Sequence, residues 1–189
     1  TSYAAYGQAT WTPSILDEKL HVTLGGRYTK DKRKATRDLL YVSNGVTDPS
    51  KSQTDASNND NYSKFNPSST LAYDWSPDLN MYVKVATGYK AGGSSESGPV
   101  DQFENTVEPE NVTSYEIGVK SQWLENRVRA NFALFESQFD DMQLAFAVDP
   151  LDPFVVQSYN AGKATVRGLE ADIAVQALDN LQVSLQYSY

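Results

Sequence analysis

The single histidine of this chain, His21, stands between Leu20 and Val22. An imidazole works as a general base only beside a nucleophile and an orienting partner. No Gly-x-Ser-x-Gly element accompanies it, so His21 reads as a water-facing wall residue and no catalytic residue is assigned. The glycines Gly88, Gly92 and Gly93 lack the Gly-Lys-Ser or Gly-Lys-Thr needed to cradle phosphate. With no cysteine, disulfides, thiolate metal sites and a cysteine nucleophile are all excluded. Between Asp38 and Tyr62, the residues Tyr41, Asp55, Asn58, Asn59, Asp60 and Tyr62 form a polar cluster able to hydrogen-bond a hydrophilic ligand. It has neither the glycine nor the closing glutamate of a calcium loop, and no metal site or cofactor is assigned. The stretch from Ala91 to Glu110 adds Ser94, Ser95, Glu96 and Phe103.

The elements that must position these groups are strands. Over Leu181–Tyr189 the odd positions are Leu, Val, Leu, Tyr and Tyr, and the even ones Gln, Ser, Gln and Ser. Successive strand side chains point to opposite faces, so this segment has one apolar and one polar face. The pattern recurs over 20–28, 81–89, 115–123 and 169–175, and more weakly over 3–11, 65–75 and 128–134. Alternation therefore predicts about eight amphipathic strands in an all-β, antiparallel up-and-down meander. The polar faces carry Arg27, Lys84, Glu116, Lys120, Glu170 and Asp172, expected to line a wet interior because such charges are costly against lipid.

Connections alternate in length. Short turns are expected at 13–19, 76–80, 124–126 and 178–180, each holding Asn, Asp or Pro. Long loops are expected at 38–62, 91–110 and 141–153. Short turns at one end and long polar loops at the other are the layout of part of a larger transmembrane barrel. Trp11, Tyr28, Trp75, Tyr89, Trp123 and Tyr187 fall near the ends of the apolar faces, where rings with polar tips suit the membrane interface.

No run of eighteen apolar residues exists, and mean hydropathy is negative. Both observations argue against a helical membrane protein and leave a barrel open. A net charge of -8 argues against nucleic acid as a partner. The nearest basic run, Lys30–Arg37, includes Asp31 and reads as a solvated strand end. Residues 1–10 show no signal peptide. The chain is therefore expected either to be exported by a signal lying elsewhere or to be a piece of something longer.

The motifs as a set resemble the TonB-dependent outer-membrane receptors. The resemblance rests on Thr87-Gly88-Tyr89-Lys90-Ala91-Gly92-Gly93, Glu108-Pro109-Glu110, Ser114-Tyr115-Glu116-Ile117-Gly118-Val119-Lys120, Asn126-Arg127-Val128-Arg129 with Ala133-Leu134-Phe135, Asn160-Ala161-Gly162 and Arg167-Gly168-Leu169-Glu170. It implies energised import of a scarce nutrient, most often a ferric siderophore, across the outer membrane of a Gram-negative bacterium. It also implies a plug domain in the same parent chain, a TonB box engaged by TonB, and contact with outer-membrane lipid. Residues 1–189 would be a partial barrel without plug, TonB box or closing strands. The ligand would then meet the long loops, at Tyr41, Asp55, Asn58, Asn59, Asp60, Tyr62 and Phe103. An isolated segment of this kind is expected to oligomerise, to need detergent or to roll into a small closed barrel. The competing classes are a self-contained small outer-membrane barrel, such as an adhesin or enzyme, and a soluble β-sheet binding module.

Overall fold

Each amphipathic strand must hide one face from water and hydrogen-bond both of its edges, and neighbours in sequence meet the second need through the short turns. The computed structural model describes residues 1–50, 52–94, 103–104, 106–149 and 152–189. Its strands are β1 (Ser2–Trp11), β2 (Leu20–Leu39), β3 (Val42–Ser43), β4 (Val46–Thr47), β5 (Gln53–Ser76), β6 (Leu79–Lys90), β7 (Glu110–Trp123), β8 (Val128–Asp140), β9 (Gln143–Asp149), β10 (Asp152–Asn160), β11 (Ala164–Leu178) and β12 (Leu181–Ser188). An eight-stranded sheet runs β1-β2-β5-β6-β7-β8-β11-β12, with every neighbouring pair antiparallel. Two small hairpins, β3–β4 and β9–β10, stand at its long-loop end. Edges β1 and β12 do not pair with each other, so the sheet does not roll into a closed barrel.

Register fixes the faces. Leu71, Val83, Ile117, Leu134 and Leu169 follow one another across five strands, on the same face as Leu24 and Leu185. Nothing covers this face: Ile117 is 50%, Leu134 58% and Leu185 62% exposed. Among the described residues only Phe103 and Ala174 are buried hydrophobics, so there is no water-excluded core of the kind a soluble sandwich needs. Trp11, Trp75 and Trp123 bound the apolar face at the short-turn end, and Tyr28, Phe65 and Tyr115 bound it at the other. The stretch Tyr115–Trp123 has the length of about 9–11 residues with which a tilted strand crosses a bilayer.

Three expectations are corrected. The segment 38–62 is not a long loop. β2 and β5 keep pairing up to Arg37 opposite Ala56, with a final contact between Leu39 and Gln53, so Asp55, Asn58, Asn59, Asp60 and Tyr62 lie on a strand. Alternation of apolar residues stops at Phe65 because both faces above it meet water, and a reading based on hydrophobic period ends the strand there. Likewise 141–153 is largely the β9–β10 hairpin. Tyr89 is not a free interfacial ring, for its hydroxyl donates to Asp31 on the polar face. The pairing of β5 with β6 ends at Ser68 and Ala86, just short of Pro67, which has no N–H to offer. Beyond that point the β5–β6 ladder no longer constrains the upper part of β6.

Candidate functional site

The polar face divides into three levels. Nearest the short turns, the two ring nitrogens of His21 are both engaged, Nδ1 with Thr12 Oγ1 at 2.9 Å and Nε2 with Asp74 Oδ2 at 2.7 Å. Asn80 Nδ2 donates to the other Asp74 oxygen at 2.7 Å. His21 is therefore a tied, partly exposed residue of the polar face.

Register puts Lys84, Glu116, Lys120, Glu170 and Asp172 on one face at mid-height, with Arg27 above them on the same face. Lys84 lies opposite Glu116, and Gly118 opposite Tyr82. The Tyr82 hydroxyl donates to Glu116 Oε1 at 2.6 Å, and Lys120 Nζ sits 5.1 Å from the Tyr82 ring centroid. Arg129 binds Asp172 at 3.1 Å, with Asn131 and Gln186 donating to the same carboxylate. Glu170 lies opposite Ala133. Sequence reasoning does not single out Tyr82, and it names Arg129 only within the Asn126–Arg129 motif. Their signal was a polar or aromatic residue at the parity of Lys84 and of Asn131.

The upper level holds a recess of about 680 Å³, lined among others by Arg27, Asp31, Arg33, Asn66, Tyr89 and Lys90. Arg27 Nε donates to Thr29 Oγ1 at 3.2 Å. The Tyr89 hydroxyl, donating to Asp31, holds that carboxyl below the usual carboxylate range. Asn66 Nδ2 is buried with no hydrogen-bond partner. With three cations against one carboxylate, already occupied, the recess favours a hydrogen-bond-accepting, anionic guest.

Above it, Phe103 and Glu104 contact β2 and β5. Phe103 is 1% exposed, and the Arg37 guanidinium lies 4.8 Å from its ring centroid. Arg37 Nη2 reaches Gln53 Oε1 at 2.8 Å, Gln53 Nε2 reaches Glu104 Oε1 at 3.1 Å, and Asn58 Nδ2 donates to Phe103 O at 3.4 Å. Burial pushes the Arg37 guanidinium down and the Tyr62 hydroxyl up from their ordinary values. Of the ligand candidates, Asn58, Asp60 and Tyr62 are half-buried on this face, while Asp55, Asn59 and Tyr41 are exposed. The structure thus brings together Asn58 and Phe103 and separates Asp55, Asn59 and Tyr41 from them. Ser95 and Glu96 lie outside the described residues.

The motif residues turn out to bolt the loops together. Asn160 Oδ1 accepts from Glu108 N at 2.8 Å, while its Nδ2 donates to Glu108 O at 2.9 Å and Asp141 O at 2.8 Å. Gln143 N donates to Glu110 Oε2 at 2.7 Å, and Gln143 Nε2 to Ala91 O at 3.2 Å. Gly92 is required for close approach: a Cβ there would collide with Val107 O and the Tyr62 hydroxyl. Its φ is not positive, so close approach and not a left-handed backbone is the reason for this glycine.

An antiparallel meander with an uncovered apolar band, aromatic edges and a charged opposite face is a section of transmembrane β-barrel wall. The family model for the TonB-dependent receptor-like β-barrel matches residues 1–189, and the chain belongs to that family. It is 25% identical over 189 residues to the ferripyoverdine receptor of Pseudomonas aeruginosa, covering 97% of this chain and 22% of that protein. It is 28% identical over 123 residues to the ferric-pyoverdine M114 receptor PbuA of Pseudomonas sp. (strain M114), covering 65% and 14%. The crystal structure of the ferric yersiniabactin uptake receptor FyuA from Yersinia pestis superposes with a TM-score of 0.74 at 21% identity, over 99% of this chain and 26% of that one. The chain therefore spans less than a quarter of the length of these two curated relatives. The family is one of transport receptors, and among the described residues no group of three or more His, Cys, Asp or Glu is placed to hold a metal.

Proposed function

We propose that residues 1–189 are a segment of the barrel of an outer-membrane receptor that imports a scarce nutrient, a ferric siderophore or other iron complex, into a Gram-negative bacterium. The observation that carries this reading is the cationic recess around Arg27, Arg33 and Lys90 on the polar side of a lipid-facing wall. Ferric siderophore complexes commonly present carboxylate, catecholate or hydroxamate oxygens, which are acceptors for guanidinium and ammonium donors. The two open edges and the share of each relative that is matched support a larger parent barrel. In that parent a plug domain fills the lumen and a TonB box couples it to TonB. The chain's part is then non-enzymatic, to bind and to pass the guest inward.

The test is iron-limited growth of cells lacking the parent gene, supplied with single ferric siderophores, together with binding to the intact receptor. Loss of growth on one siderophore, restored by the wild-type gene and weakened by Arg33→Ala, is expected. Unimpaired growth on every iron complex, with growth lost on another nutrient, would redirect the substrate assignment. Absence of the receptor from the outer membrane would overturn the reading.

A further inference from the structure

Strand pairing leaves an open edge inside the wall. In an antiparallel ladder the N–H and C=O groups of successive residues serve alternate neighbours. The Asp74 amide donates to Lys19 O on the β2 side, so even residues of β5 bond β2 and odd ones face β6. Pro67 obeys the same rule, its carbonyl accepting from Thr87 Oγ1 of β6 at 3.2 Å. The β5–β6 ladder stops at Ser68 and Ala86, whereas the β2–β5 ladder continues to Arg37 and Ala56. Above Pro67, the N–H and C=O groups of Phe65, Ser63, Asn61, Asn59 and Ser57 therefore point away from β2. Among the described residues no backbone group pairs with them, and all five residues are exposed. Edges open to water are ordinarily blunted by proline, a bulge or charge. This edge is blunted only at its ends, by Pro67 below and by the register shift above Ala56, where Asp55 has a φ of 55°. Between them there is no proline, and Ser57, Asn59, Asn61 and Ser63 are neutral.

We propose that the β5 edge from Ser57 to Phe65 docks an extended acidic segment of a protein that meets the cell from outside, taken up as an added strand. The inference rests on the outer-membrane reading above, which sets the long-loop end outside. Three features select this occupant. The open edge is about 27 Å long, far longer than a compact guest of the neighbouring recess, so only an extended chain can use all of it. A second copy in the same membrane points the same way, and a two-fold axis between the copies would set each N–H against its own mate, so no ladder forms. Lys34 and Lys32, opposite Asn59 and Asn61 on β2, lie within a Debye length of the added strand and favour acidic over basic side chains on it.

The experiment uses the intact parent receptor in mild detergent. The probe is a peptide of alternating threonine and glutamate long enough to span the edge, and its control is the same peptide N-methylated throughout. Affinity and hydrogen exchange of single amides are measured. The probe is expected to slow exchange at Asn59, Asn61 and Ser63, and the methylated peptide to leave them unchanged. Asn61→Pro removes one N–H on the open side without touching the β2 ladder, and should weaken binding at least about tenfold. Asn61→Gln keeps the backbone donor and should bind as wild type does. Iron-complex uptake by Asn61→Pro at the wild-type level separates lost docking from a misassembled barrel. Equal binding by Asn61→Pro, equal binding of the methylated peptide, or no added protection at the three amides would overturn the inference and leave the transport reading intact. So would protection already in place without peptide, from a second copy or another part of the parent chain. A wild-type receptor absent from the outer membrane would overturn both.

Discussion

Tyr82 and Glu116 are joined across the β6–β7 pair by a 2.6 Å hydrogen bond, phenol to carboxylate, directly over Gly118, whose missing side chain makes room for the Tyr82 ring. The three residues act as one fitting. Gly118→Val would push into the ring and displace the phenol from Glu116, whereas Tyr82→Phe removes only the hydroxyl. A hydrogen bond to a charged partner contributes about 1.5–3 kcal/mol when shielded, and this one is partly open to water. Tyr82→Phe is therefore expected to lower the stability of the refolded receptor by about 1 kcal/mol, and Gly118→Val by more. Urea titration in lipid vesicles reads both.

Neighbouring residues on one strand should respond oppositely to charge. Ile117→Lys places an ammonium at mid-band on the lipid face and is expected to cost about 2–4 kcal/mol. Glu116→Gln, one residue away on the wet face, should cost less than half of that. The same unfolding titration decides the face assignment, and similar losses at the two positions would contradict it.

Much of this architecture was legible because hydrophobic period and register coincide wherever one face meets lipid. Leu24, Ile117 and Leu185 were placed by alternation, and the wall set from Arg27 to Asp172 followed as their opposite parity. What the pattern could not show was structure where both faces are polar. Asn58, Asp60 and Tyr62 carry no apolar period, so the upper half of β5 read as loop. Contacts between distant segments were equally hidden, among them Arg37 on Phe103 and Asn160 on Glu108, because nothing local to either residue encodes the partner.

Asn160 holds three backbone groups from two segments, so Asn160→Ala should free the 108–110 and 141–143 stretches together. Expected is faster amide exchange at Glu108 and in the β9–β10 hairpin, with the mid-strand amides of β7 unchanged. Hydrogen-exchange mass spectrometry on the intact receptor measures this, and protection unaltered at Glu108 would show that Asn160 is not the tie.

Gly92→Ala tests the close approach of Gly92 to Val107 and Tyr62. A methyl group there meets Val107 O and the Tyr62 hydroxyl, and the paired amides of Gly93 and Val107, at 3.2 and 3.0 Å, cannot both survive the shift. Phe103, buried in the folded chain, should become more exposed, and the fluorescence of a tryptophan substituted at Phe103 should move to longer wavelength in the alanine background.

The Asp31–Tyr89 contact makes the upper recess sensitive to acid, and its sign follows from which proton form the contact favours. The Tyr89 hydroxyl donates to ionised Asp31 and lowers its carboxyl pKa in the folded chain. A depressed carboxylate stabilises the fold above its unfolded value of about 4 and loses that contribution as pH falls through the lower folded value. Acidification below about pH 4 should therefore loosen the tie between β2 and upper β6. Tyr89→Phe removes the donor, so the variant should already be weaker at neutral pH and should show a flatter acid limb than wild type. Parallel acid limbs in the two proteins would mean that Asp31 is held by other groups and that Tyr89 only covers it.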